Sequence, residues 1–161
     1  MTPEQTIIET QILYGRLVDY WYRVDHHGGV GVSDMYMPDG VFRGSLKPLV
    51  GRAAIQQFYD WRLERGPRTA RHVVTNFRAE FQDADHATSM CIMLLYAADG
   101  EPVLPSAAPI LISDMIDAWV RDADGTWLVA DRNFVSIFVD REAVTSSAMA
   151  KSMSTSPFAD R

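Results

Sequence analysis

The chain switches its hydrophobic period once, at Gly66-Pro67, and that switch limits the folds open to it. Before it, apolar residues recur at helical spacing. Ile7, Tyr14, Val18 and Trp21 form one row of a first helix over about Pro3 to Val24, and Leu13, Leu17, Tyr20 and Val24 form a second row beside it. Thr2, Pro3 and Gln5 read as its N-cap, first position and capping partner. His26-His27-Gly28-Gly29 ends it, and a short helical piece over Val30 to Tyr36 follows. Met37-Pro38-Asp39-Gly40 reads as a turn before a short strand, Val41-Phe42-Arg43. Gly51 to Arg65 is a second helix with Ile55, Phe58, Tyr59 and Leu63 on its apolar stripe. After Gly66-Pro67 come four long segments rich in Val, Ile and aromatic residues: 71–81, 87–97, 109–121 and 126–139. Asp- and Gly-bearing turns separate them. Helices first and antiparallel strands after define an α+β class, not alternating βαβ units.

Length and charge narrow the partners. At 161 residues the chain is about one domain, expected over 1–140, with a Ser-, Ala- and Met-rich tail over 141–161 as a short helix or mobile end. A net charge of −6 argues against nucleic acid or an anionic membrane as partner. The single cysteine, Cys91, excludes an internal disulfide and a cysteine-based metal cluster. The N-terminus MTPEQTIIET carries acidic residues where a leader would carry basic ones, and no apolar run approaches the roughly 20 residues of a membrane span. The expectation is a cytoplasmic protein.

Polar residues inside apolar patterns mark the candidate site, because burying them unpaired is unfavourable. Asp25 closes the first helix, five residues after Tyr20. On a regular helix the two lie about 140° apart, so they converge only where the helix bends or ends. The plainer reading makes Asp25 a solvated helix end and Tyr20 core. His72 lies in the strand Arg71-His-Val-Val-Thr-Asn76, on one face with Val74 and Asn76 if alternation is regular; its plainer reading is a hydrogen-bonded structural histidine. Arg132 shares a face with Leu128, Ala130 and Phe134, while Trp127, Val129 and Asp131 share the other. Both faces are mixed, so the pattern leaves the inward one open, and a structural carboxylate partner is the alternative to lining a cavity. Adjacent His26 and His27 lack metal-ligand spacing, and no metal site is expected. Gly28-Gly29-x-Gly31 follows no strand and lacks a phosphate-loop lysine.

Taken in order, Tyr20-x4-Asp25, Asp39-Gly-Val-Phe42, Gly51-Arg-Ala-Ala-Ile55, Arg71-His-Val-Val-Thr-Asn76 and Asp124-Gly-Thr-Trp127 leading to Asp131-Arg132 resemble the SnoaL-like proteins of the nuclear transport factor 2 superfamily. That superfamily includes scytalone dehydratase, bile-acid 7α-dehydratase and ketosteroid isomerase. The resemblance implies a cone-shaped α+β barrel holding one deep pocket. It places Tyr20, Asp25 and His72 on the Tyr, Asp and His that converge in the dehydratase branch, and Arg132 on the Arg that joins them in the bile-acid enzymes. The second histidine of scytalone dehydratase has no counterpart in 87–97, which brings the chain nearer the bile-acid type.

The expected activity is a cofactor-independent lyase, a dehydratase first, acting on an aromatic or polycyclic small molecule by His/Asp acid–base chemistry. Trp21, Phe58, Asn76, Met90, Phe134 and Phe138 are expected around the substrate, with core packing as the plainer reading for the apolar ones. The alternatives are an isomerase or carbon–carbon lyase using the same residues, a non-catalytic binding module, and the small subunit of a ring-hydroxylating oxygenase. A homo-oligomer, dimer or trimer, is expected through the outer sheet, with Trp119 and Trp127 as exposed contact residues.

Overall fold

Thr2 stands in extended backbone ahead of the first helix. Its hydroxyl accepts from the Gln5 amide while the Gln5 side chain accepts from the Thr2 amide, so two otherwise orphaned donors are satisfied reciprocally. From that cap α1 runs Pro3–His27, past the expected end at Val24. Of its two apolar rows only the second, Leu13, Leu17, Tyr20 and Val24, is buried throughout. From the first row Trp21 is buried, whereas Ile7 and Val18 are exposed. The helix stops at Gly28 in the left-handed conformation. A Cβ on Gly28 would run into Leu63, and one on Gly29 into Tyr59. The paired glycines therefore let the second helix close against the end of the first.

The computed structural model describes residues 1–44 and 47–141. After α1 comes a 3-10 turn, Val32–Met35, then β1 (Tyr36–Arg43), β2 (Leu49–Val50), α2 (Arg52–Glu64), β3 (Arg68–Phe81), β4 (His86–Asp99), β5 (Leu111–Arg121) and β6 (Trp127–Val139). The strands form one sheet in the order β2-β1-β6-β5-β4-β3. Only the β1–β6 pair is parallel. The curved sheet wraps over α1 and α2, which is the α+β cone. Met37-Pro38-Asp39-Gly40, expected as a turn before a strand, lies inside β1. There the pairing jumps from Tyr36↔Val129 to Val41↔Asp131, so the segment arches out of the ladder without ending it. Leu63, expected on the buried stripe of α2, is half exposed. The tail beyond Arg141 lies outside the described residues.

Irregularities in two long strands decide which side chains face the helices. In β3 the pairing slips between Thr75 and Arg78, and Asn76 takes φ 55°. His72 and Val74 are inward before the slip, and Phe77, Ala79 and Phe81 after it; Asn76 itself is exposed. In β6 the register slips between Val129 and Asp131, opposite Trp119 and Ala118. Trp127 and Val129 face inward before the slip and Arg132 after it, so each of the two mixed faces is inward over half the strand. Replacing Asn76 with Val, a β-branched residue in a left-handed position, should destabilise the fold by about 1–2 kcal/mol. Asn76→Gly should be close to neutral. Urea unfolding that ranks Val level with Gly would remove the strain argument.

Candidate active site

Trp21 and Asp25 lie four residues apart on α1 and so share a helix face. Both meet His72. The carboxylate of Asp25 accepts from the His72 backbone N–H at 2.8 Å through Oδ2, and Oδ1 lies 2.6 Å from the ring Nδ1. The Trp21 indole stacks on the imidazole at 4.0 Å and 12°. His72 and Asp25 are 5% and 7% exposed at the side chain. A carboxylate can only accept at neutral pH, so Nδ1 carries the proton and Nε2 keeps its lone pair. No described residue bonds Nε2. Burial pushes the His72 pKa below 6.5, and the hydrogen bond and charge of Asp25 pull it upward without restoring it. His72 therefore carries a neutral, oriented imidazole, and its contact with Asp25 is a hydrogen bond rather than an ion pair.

A second cluster lies beside the first. The Tyr20 hydroxyl is 2.5 Å from that of Tyr59 and accepts from Tyr36 at 3.3 Å. Burial pushes all three phenols well above their ordinary value, so all three stay protonated. Three O–H groups make two bonds here, which leaves one proton, on Tyr20 or Tyr59, for another acceptor. The Arg132 guanidinium lies over the Tyr20 ring at 4.1 Å and is wholly buried. Asp117, its register partner on β5, holds it by Nε at 2.8 Å and Nη2 at 2.7 Å. Burial alone would lower the arginine pKa; the Asp117 carboxylate outweighs it and holds the charge in place. Nη1 has no partner among the described residues.

Tyr20 and Asp25 thus enter different clusters, and α1 runs on past both to His27. Trp21 joins the two, stacked on His72 and edge-on to Tyr20 at 4.9 Å. An Asp25–Arg132 pair does not form. Arg132 has the structural carboxylate that the sequence left as one alternative. The space between α1 and the strand of Arg132 is occupied by the side chains of Tyr20, Tyr36 and Arg132, where the resemblance implied a deep pocket. Phe58 is buried against Phe42 and Tyr59, and Phe134 packs between Trp21 and Phe42.

Three expected pocket residues lie elsewhere. Asn76 is turned out by the β3 slip. Met90 belongs to the outward set of β4, whose inward set is Ala87, Ser89, Cys91, Met93 and Leu95. Phe138 pairs with Ile112 beyond a further β6 slip and is 66% exposed. Trp119 and Trp127, expected as exposed contacts, are both buried, bonded through their indole N–H to Ser89 and Glu9. His26 and His27 pack beside Tyr22.

Sequence reading missed Tyr36, Tyr59 and Asp117. Asp117 carried the same signal as Arg132, a charge inside an apolar strand (Met115-Ile-Asp-Ala-Trp119). The tyrosines had no such signal, since buried phenols and plain core share one hydropathy pattern.

A curved sheet wrapped over two helices, with a buried Asp–His pair beside a tyrosine cluster, makes an α+β cone of the nuclear transport factor 2 kind. Within it, the chain belongs to the SnoaL-like family, whose domain model matches residues 7–133. The fold is shared with a protein from Catenulispora acidiphila at 22% identity, covering 82% of this chain and 94% of that one, TM-score 0.71. It is shared with a scytalone dehydratase candidate from Novosphingobium aromaticivorans at 17% identity, covering 85% and 89%, TM-score 0.73. It is shared also with ActVI-ORFA from Streptomyces coelicolor at 19% identity, covering 78% and 95%, TM-score 0.67. At such identities the likeness carries the fold alone. The chain has no match among curated proteins. No helix of the described residues is long and apolar enough to cross a membrane.

Proposed function

We propose that this protein is a cofactor-independent lyase that eliminates water from a ring-bearing small molecule, with His72 as the base. One observation carries the reading: a buried imidazole held neutral, its Nδ1 fixed by Asp25 and its Nε2 left for a substrate proton. Nε2 takes the proton from a carbon next to a carbonyl. The C–H electrons pass into an enolate, then form the C=C bond as the C–O bond to the hydroxyl breaks. The imidazolium, stabilised by Asp25, returns its proton to the departing hydroxide, which leaves as water. The spare phenolic proton of the Tyr20–Tyr59 pair stabilises the developing oxyanion. Trp21 and Phe134 supply apolar surface for the ring.

An isomerase or a carbon–carbon lyase is the second reading. Among the described residues no second histidine joins His72, so one group must both take and return the proton. Mass spectrometry of the product separates the first two: dehydration removes one water, and isomerisation changes no mass.

The pH profile tests the base. With a folded-state pKa below 6.5, His72 is active while neutral. kcat/KM should therefore be flat above neutrality and fall on an acid limb with its midpoint below 6.5. Stability should move the same way. Folded His72 binds its proton less readily than the unfolded chain, so its contribution is complete above about 6.5 and declines as pH falls from there toward the folded pKa. An acid limb centred above 6.5 would exclude His72 as the base.

A further inference from the structure

Four arginines stand at every third position where α2 passes into β3: Arg62, Arg65, Arg68 and Arg71, in a chain of net charge −6. Three of them, Arg62, Arg68 and Arg71, line a groove of about 580 Å³ that touches Asp25 and Tyr59 but not His72, Trp21 or Arg132. Arg68 is the informative one. Its side chain is 14% exposed, and its one ion pair among the described residues is long, 3.6 Å from Nη1 to Asp99. Its Nε and Nη2 are buried with no acceptor among the described residues. These two atoms form the side-on fork that grips a carboxylate or phosphoryl group bidentately. The same edge of Arg132 grips Asp117, and that of Arg43 grips Asp131. A fork left empty and desolvated is unfavourable. With so loose a hold on Asp99, the guanidinium can turn that edge into the groove.

Three arginines line the groove against two lining carboxylates, Asp25 on α1 and Glu101 after β4, with Asp99 at 3.6 Å from Arg68; His26 and Tyr59 are its other titratable neighbours. Asp25 is already engaged by the backbone N–H and Nδ1 of His72.

We propose that this groove binds the oxyanion, phosphoryl or carboxylate, of a ligand beside the Asp25–His72 pair, with Arg68 as the bidentate grip and Arg62 as the second cation. The volume exceeds that of a free anion, so the groove has room for the rest of a larger molecule. Occupation would act on the base. After burial, the positive charges of Arg62 and Arg68 help to hold His72 neutral. An anion cancelling them makes His72 a stronger base, a coupling that rests on the function proposed above, whereas the binding does not.

Inorganic phosphate and acetate, titrated into the whole protein at constant ionic strength with chloride as control, test this by NMR of the arginine Nε–H and histidine ring signals. Saturable shifts of Arg68 are expected in the natural chain, and the affinity read from the histidine ring and remaining arginine signals should fall about tenfold in Arg68→Gln and less in Arg68→Lys. Arg62→Gln, at the helix surface, should weaken binding without disturbing the fold. Preference for phosphate or for acetate identifies the group on the ligand. Phosphate, acetate and chloride acting alike, or Arg68→Gln binding as the natural chain does with an unchanged circular dichroism spectrum, would overturn the proposal. A His72 midpoint that rises with phosphate in the natural chain and not in Arg68→Gln supports the coupling; a midpoint that stays put removes it. None of these readings involves turnover, so the groove and the lyase stand or fall separately.

Discussion

Replacing His72 with Ala should lower kcat on a cyclic hydroxy-ketone substrate by about 10²–10⁴-fold, the range a positioned general base contributes. The residue is held at three points: Asp25 at ring Nδ1, Asp25 again at the backbone N–H, and Trp21 across the ring face. Position and tautomer are thus set before substrate arrives, and the variant loses the base together with its orientation. Asp25→Asn should lose less, on the order of 10²-fold, because an amide can still accept from Nδ1–H but cannot stabilise the imidazolium by charge. The double variant should be no slower than His72→Ala alone, since Asp25 acts through His72 as a positioning residue. Asp25→Asn should also raise the acidity of the ring, moving the acid limb to lower pH, a change that a merely structural role would not produce. Steady-state rates across a panel of such ketones, read by the absorbance of the new conjugated double bond, make the comparison. Full turnover in both single variants would end the assignment.

The second large effect is on stability. Asp117→Ala should destabilise the fold by about 3–5 kcal/mol, because it strips the partner from a wholly buried guanidinium. The remaining neighbours of Arg132 are the faces of Tyr20, Trp21 and Tyr36, which attract a cation but cannot accept two charge-assisted hydrogen bonds. For a chain of this length that corresponds to a drop in Tm of about 10 °C. Removing both charges, as Asp117→Leu with Arg132→Met, should cost far less than Asp117→Ala, since no lone charge is left inside. Urea unfolding measures all three proteins. A loss below about 1 kcal/mol for Asp117→Ala would mean that water or rearrangement reaches Arg132. The effect also bears on the site, because Arg132 supports the ring of Tyr20, the central hydroxyl of the tyrosine cluster.

The switch of period at Gly66-Pro67, the cap at Thr2 and the turn residues between strands determined the class of fold, since each is a local property of a few neighbouring residues. The order of motifs determined the family, and charge within apolar pattern singled out Asp25, His72 and Arg132. The tertiary structure decided which of these meet. Alternation carries a side chain's facing only as far as the next bulge, and one extra residue reverses every face beyond it. For that reason Asn76 and Phe138 were misplaced and the inward face of Arg132 stayed open. Asp117 became its partner only through the β5–β6 register, and Tyr36 and Tyr59 joined Tyr20 only through the packing of β1 and α2 on α1. Pairing between residues distant in sequence is set by how strands align and helices dock, and neither is written in any local run of the chain.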